Sequence, residues 1–202
     1  MSCSDITYHR LMGRWAPGTR ERLQQVALEL FRRDGYDATT VADIAGAAEV
    51  TERTFYRYFT DKREVLFDGQ DQLGAAFVDG VAGAPTGATP MEIAAAGLDH
   101  AGAFFTAERR AWSRGRQAVI ESDPALRERE LLKLAALADR LADALRDRGI
   151  TDPQARLCAD AALSVFRTTF ARWLADGEGR SFGDLQRETL STLQSLSAPN
   201  QT

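Results

Sequence analysis

Strand-forming patterns are nearly missing from this chain. Runs that alternate β-branched or aromatic residues with polar ones do not occur, so a sheet protein is excluded and an all-α fold is expected. Cysteine and histidine are almost as scarce. The two cysteines, Cys3 and Cys158, are too few for a disulfide framework and lack metal-ligand spacing. The two histidines, His9 and His100, sit in neither a Glu-x-x-His nor a His-Glu-x-x-His arrangement. Glycine-rich phosphate loops and Gly-x-Ser-x-Gly turns are absent too, so catalysis is not expected, nor is a metal or cofactor. No window approaches about 18 consecutive apolar residues, which excludes a membrane-spanning helix. The N-terminal stretch 1–15 is polar, with no secretion signal, and a reducing cytoplasm is the expected compartment.

Charge is present in both signs but unevenly placed. The net charge is −4, which by itself argues against nucleic-acid binding. Yet ten of the 25 basic and ten of the 29 acidic residues lie up to Leu66, leaving 15 basic against 19 acidic beyond it. The first part can therefore meet phosphate if its cations share a face, whereas the second would be repelled. The expected division is 1–66 and 67–202.

Helix starts and stops are plainly written, about nine helices in all. Leu23, Val26, Ala27, Leu30 and Phe31 form one apolar stripe after Thr19, and Gly35 closes it. Thr40 with Asp43 forms a capping box; Thr51 and Asp61 are further caps. The segment 80–89, rich in Gly, Ala, Pro and Thr, reads as a loop. Thr89-Pro90-Met91-Glu92 opens the next helix, and Asp123-Pro124, Asp152-Pro153 and Ser181 open the last three.

The chemistry-bearing stretch is Thr39 to Leu66. A helix over 41–48 carries Val41, Ile44, Ala45 and Ala48 on one face. A tight turn at Glu49-Val50 leads to a second helix over 51–59 with Phe55 and Phe59 inward. Two short helices crossing on small residues form a helix-turn-helix, whose second helix enters the major groove. Its open face holds Glu52, Arg53, Tyr56, Arg57 and Tyr58, side chains suited to base edges and phosphates. Lys62 adds a cation beside a helix N-terminus, and Arg10, Arg14, Arg20 and Arg22 form a basic arm.

This stretch resembles the TetR family of bacterial repressors. The matching residues run Thr40-Val41-Ala42-Asp43-Ile44-Ala45-Gly46-Ala47-Ala48-Glu49-Val50-Thr51, then Arg53-Thr54-Phe55-Tyr56-Arg57-Tyr58-Phe59, then Asp61-Lys62-Arg63-Glu64-Val65-Leu66. The resemblance implies a cytoplasmic homodimeric repressor that binds a palindromic double-stranded operator and is released by a small-molecule effector. It implies phosphate contacts from Thr40, Thr51, Thr54, Tyr56, Tyr58 and Lys62, and base-edge contact or steering from Glu52, Arg53 and Arg57. Three residues depart from the pattern. Glu49 stands where a glycine is usual, so the position either does not need positive φ or costs about 1 kcal/mol. Arg53 replaces a glycine, and either reads a base or excludes the operators of glycine-bearing relatives. Tyr58 replaces a histidine and can take over its phosphate contact.

Beyond Phe67 the resemblance implies a sensor and dimerisation domain. Met91, His100, Phe104, Phe105, Trp112 and Arg116 are the candidate effector contacts, between the helices 89–107 and 108–122 and a pillar over 131–145. Each apolar one can equally be core, and His100 either orients a ligand or bonds within the core. An apolar or aromatic effector is expected, and the acidic balance of the domain disfavours a polyanion. The last helices, 153–176 and 182–196, carry Phe166, Phe170, Trp173, Leu185 and Leu193 as the candidate dimer interface. Two-fold symmetry would then set the two recognition helices about 34–36 Å apart. The alternative is a helical small-molecule-binding or interaction protein without a DNA role.

Overall fold

The computed structural model describes residues 18–196. Arg10 and Arg14 of the basic arm, Cys3, His9 and the tail after Leu196 lie outside the described residues. Every regular element among the described residues is a helix. The chain divides into two compact units at Phe67/Asp68.

The first unit holds α1 (Thr19–Asp34), α2 (Val41–Ala47), α3 (Glu52–Tyr58) and the single turn α4 (Glu64–Phe67). Leu23, Ala27, Leu30 and Phe31 turn inward from α1, as their spacing requires, and meet Ile44, Ala45, Phe55, Phe59 and Leu66 in one core. Helices this short are not stable alone, so their ends are fastened. Gly35, at φ 91°, returns its N–H to the Phe31 carbonyl. The Thr40 hydroxyl accepts from the Asp43 N–H while the Asp43 carboxylate accepts from the Thr40 N–H, a reciprocal capping box. Thr51 accepts from the Thr54 N–H, and Asp61 Oδ1 from those of Arg63 and Glu64.

The second unit contains α5 (Gln70–Ala82), α6 (Pro90–Gly102), α7 (Ala107–Ser122), α8 (Pro124–Asp147), α9 (Gln154–Leu174) and α10 (Phe182–Leu196). Thr89 and Glu92 box the start of α6, with Pro90 in its first turn. Asp123 caps α8, and the Ser181 hydroxyl accepts from the Asp184 N–H at α10. One boundary departs from the reading of composition: α5 continues through Gly80 to Ala82 before the loop begins. Gly80 is a packing residue rather than a turn residue. A Cβ there would stand 2.5 Å from the Ala96 carbonyl oxygen, and one at Gly97 would stand 2.8 Å from that of Phe77. The two glycines let α5 and α6 approach backbone to backbone. α9 likewise ends at Leu174, two residues short of the expected Asp176.

The core of this unit runs from Phe77 and Leu98 through Leu141 and Leu145 to Trp173 and Phe182. Phe105 is its aromatic hub. Its ring stacks on Phe182 at 4.4 Å and lies 5.5 Å from Phe166, 5.5 Å from Phe170 and 5.7 Å from Trp173. This removes Phe166, Trp173 and Leu185 from the expected dimer interface. Phe166, Trp173 and Leu185 are buried inside their own protomer, Trp173 and Leu185 completely, and Phe170 and Leu193 are half-buried against the same core. What α9 turns outward is a different stripe: Leu157, Ser164, Thr168 and Ala171 are exposed, with Ala161 half-exposed between them.

Candidate functional site

The turn between α2 and α3 decides how α3 is presented. The Val50 N–H donates to the Ala45 carbonyl at 2.9 Å and the Glu49 N–H to that of Gly46 at 3.1 Å. These are the paired bonds of a Schellman ending, whose middle residue must be left-handed. Glu49 occupies that place at φ 54°, the one non-glycine residue with positive φ among those described. Of the two readings of Glu49, the costly one therefore holds: about 1 kcal/mol of backbone strain relative to glycine.

With Phe55 fully buried, the opposite face of α3 is open. Glu52, Arg53, Tyr56 and Arg57 are exposed there, Tyr56 by 54%. Thr40 and Thr51 are exposed at the starts of α2 and α3, although both hydroxyls already serve as caps, Thr51 sharing a 3.0 Å contact with the Thr54 hydroxyl. Arg57 donates to the Tyr58 hydroxyl at 3.2 Å and lies over its ring. Arg20 of α1 donates to the Tyr58 carbonyl and sits 5.4 Å from the Phe59 ring centroid. The open face of α3 thus gathers cations and an exposed tyrosine, whose ring meets Phe55 edge-on at 5.5 Å, beside the capping threonines.

Lys62 is placed differently from its expected role. Its ammonium donates to the carbonyls of Tyr36 at 2.7 Å, Thr39 at 3.0 Å and Asp37 at 3.3 Å, and lies 4.3 Å from the Tyr36 ring centroid. An ammonium has three N–H groups, so all are directed at the segment leading from α1 into the Thr40 cap. Sequence reasoning missed this because nothing in the Lys62 neighbourhood marks a partner some 25 residues earlier.

In the second unit a cavity of about 1130 Å³ opens between α7, α8 and α9, with Phe104, Phe105 and the start of α5 completing its wall. Trp112 and Arg116, two of the candidate effector contacts, line it. Met91 and His100 do not: Met91 packs against the core and His100 is exposed. No residue of α6 reaches the lining, because α6 spends its apolar face on the close crossing with α5. Of the expected walls, 108–122 and the pillar over 131–145 line the cavity, 89–107 contributes only Phe104 and Phe105, and α9 is the wall that was not expected. The wall also carries far more charge than an apolar pocket would: seven basic side chains against four acidic.

Arg116 is the buried one among them. Its guanidinium donates to Glu130 Oε1 at 3.1 Å, joining α7 to α8. Burial pulls its pKa below the ordinary guanidinium value, with Glu130 opposing the shift. The Gln117 amide nitrogen bridges Glu121 and Glu130 at 3.1 and 3.4 Å. At the other end of α7, Arg114 donates to the Leu174 and Ala175 carbonyls, where α9 ends. Arg110 donates to the carbonyls of Glu178 and Arg180 and lies over Trp173. Just beyond, the Arg180 guanidinium holds the Glu178 carboxyl down to about 2.

Residues 23–68 match the model of bacterial regulatory proteins of the tetR family, and residues 89–197 match the MftR C-terminal domain. The chain belongs to the TetR family. It is 42% identical over 74 residues to the HTH-type transcriptional regulator TcmR of Streptomyces glaucescens, covering 37% of this chain and 33% of that protein. It is 35% identical over 82 residues to the HTH-type transcriptional repressor KstR2 of Rhodococcus jostii (strain RHA1), covering 41% and 36%. The matches therefore span about a third of the length of these curated relatives. Among solved structures it is similar to Thermus thermophilus FadR, a repressor in complex with lauroyl-CoA. There the identity is 26%, the coverage 91% of this chain and 97% of that one, and the TM-score 0.50.

Within this TetR-family chain the Lys62 geometry makes a specific prediction. Lys62→Ala should lower the melting temperature and weaken binding to every DNA duplex alike, while leaving the dependence of log affinity on log salt unchanged. A slope reduced by about 0.9 would mean that a phosphate contact had been lost instead.

Proposed function

We propose that this protein is a ligand-responsive transcriptional repressor that binds a palindromic operator as a homodimer and is released by a small effector with an apolar or aromatic body. The observation that carries the DNA reading is the open face of α3, with Arg53, Tyr56 and Arg57 set opposite a completely buried Phe55. In this reading Tyr56, Thr51, Thr54 and Tyr58 contact phosphate, and Thr40 does so beside its cap. Glu52, Arg53 and Arg57 face base edges, where a bidentate arginine contact to guanine discriminates by about 1–3 kcal/mol. Lys62 serves by holding the approach to α2.

The effector reading rests on the cavity, whose wall joins Phe104, Phe105, Phe166, Phe170 and Trp112 to a strongly charged remainder. The lauroyl-CoA bound by the Thermus thermophilus FadR, an acyl chain on a polar carrier, supports an apolar body for the ligand. The dimer reading moves from the buried aromatics to the outward stripe of α9, in which Leu157 is 64% exposed and whose Ser164, Thr168 and Ala171 also line the cavity. That stripe repeats at intervals of four and three residues, the spacing of a helix seam.

Two measurements test these assignments. Selection from a randomised duplex pool, with wild type and Arg53→Ala, should show a changed preference at one base step in each half-site. Tyr56→Phe should lower affinity without reordering the preferred sequences. A uniform loss for Arg53→Ala would make Arg53 a phosphate contact, and no selected site for the wild type would remove the repressor reading. For the dimer, Leu157→Glu should sediment as a folded monomer with unchanged helicity. A persisting dimer would place the interface away from the α9 stripe.

A further inference from the structure

One cation of the cavity wall has a prepared seat and nothing to neutralise it. Arg140, on α8, projects its guanidinium over Gly74 of α5. A Cβ at Gly74 would lie 2.5 Å from Arg140 Nη1, 2.9 Å from Cζ and 3.3 Å from Nη2. Gly74 is buried in mid-helix, with ordinary helical geometry. Its use there is not to make a turn, and in a helix interior glycine costs about 1 kcal/mol relative to alanine. What it supplies is room for a guanidinium.

The other lining arginines with a comparable setting are committed. Arg114 holds the Leu174 and Ala175 carbonyls and Asp176. Arg116 holds Glu130, and Arg172 holds Thr189 and Glu188. Arg140 forms no hydrogen bond or ion pair among the described residues. Asp71, one turn earlier on α5, also lines the cavity but does not pair with it. Arg167 shares the lack of a partner but has no glycine seat. A guanidinium presents a planar fork of donors that matches carboxylate or phosphate oxygens two at a time. Arg140 is otherwise exposed, so the close approach to Gly74 is what limits its rotamers before ligand arrives, which lowers the entropy lost on binding.

We propose that Arg140 on its Gly74 seat binds the anionic head, a carboxylate or phosphate, of an amphipathic effector whose apolar body lies along Phe104, Phe105, Phe170 and Leu137. This rests on the effector reading of the cavity and gives the ligand a sign of charge. It also reverses the expectation drawn from the acidic balance of the whole domain, because the balance in the cavity wall runs the other way.

The test uses the full chain and three matched probes below their micellar concentrations: decanoate, decyl phosphate and decanol. Calorimetric titration of the wild type should show at least one of the two anions binding about tenfold or more tighter than decanol, the gain of a charge-assisted contact. Which anion is preferred assigns the head as carboxylate or phosphate. Arg140→Gln should bring that anion to the level of decanol, leaving decanol unchanged. Gly74→Ala, which keeps every charge but fills the seat, should do the same. Its melting curve confirms folding, since the added methyl displaces only a side-chain end. Equal binding of all three probes to the wild type, or an anion preference that survives Arg140→Gln, overturns the proposal while leaving the effector reading in place. A preference that survives Gly74→Ala overturns the seat. Failure of all three probes to bind removes the effector reading and the proposal together.

Discussion

The second unit depends on how α7 is held. Its sequence, Ala107 to Ser122, is mostly charged and small, and its buried apolar side chains are confined to Val119 and Ile120 near one end. A helix so poor in apolar area cannot be fixed by packing alone. Arginines fix it instead. Arg110 and Arg114 take the carbonyls at the end of α9 and in the following loop, and Arg116 takes Glu130 across on α8. Directional bonds hold a helix at a distance, where apolar contact would draw it in. The cavity exists because one of its walls is suspended in this way.

That arrangement ties the cavity wall to the end of α9. The bonds from Arg110 and Arg114 end on the last residue of α9, the helix that carries the proposed dimer surface, and on the segment that follows it. A ligand that displaces α7 must therefore strain or release those bonds, and it can shift a two-state equilibrium only to the extent that it does so. The buried Arg116–Glu130 pair stands in the same wall. A charge-assisted bond of this kind between two helices favours a single register of α7 on α8 over general stability.

Much of this was legible in the residues. Thr40 with Asp43, Thr89 with Glu92, and Asp123 with Pro124 act locally, and each lies where its spacing placed it. Phe55 and Phe59 follow the helical period. The misplacements share a cause. Phe166, Trp173 and Leu185 are apolar and helical, but periodicity alone does not tell a core facing the same protomer from one facing a partner. The burial of Phe166 and Trp173 is decided by Phe105 and Phe182, which come from other elements of the chain. Met91 and His100 were separated from the cavity by the glycine crossing of α5 and α6, a contact that composition presents as a loop. Lys62 and Arg140 find their settings at backbone atoms 23 to 66 positions away, at Thr39 and Gly74, and backbone carries no mark in the sequence.

The central claim is that the two units of the chain report on one equilibrium, DNA at α3 and an amphipathic ligand in the cavity. Linkage makes that claim quantitative, since any factor by which ligand weakens DNA must equal the factor by which DNA weakens ligand. The decisive measurement is a titration in both directions: operator affinity with the cavity saturated, and ligand affinity with the operator saturated. The account predicts the same weakening in both, of roughly 5- to 150-fold, the usual range for such coupling. Ligand binding that leaves operator affinity unchanged would contradict it.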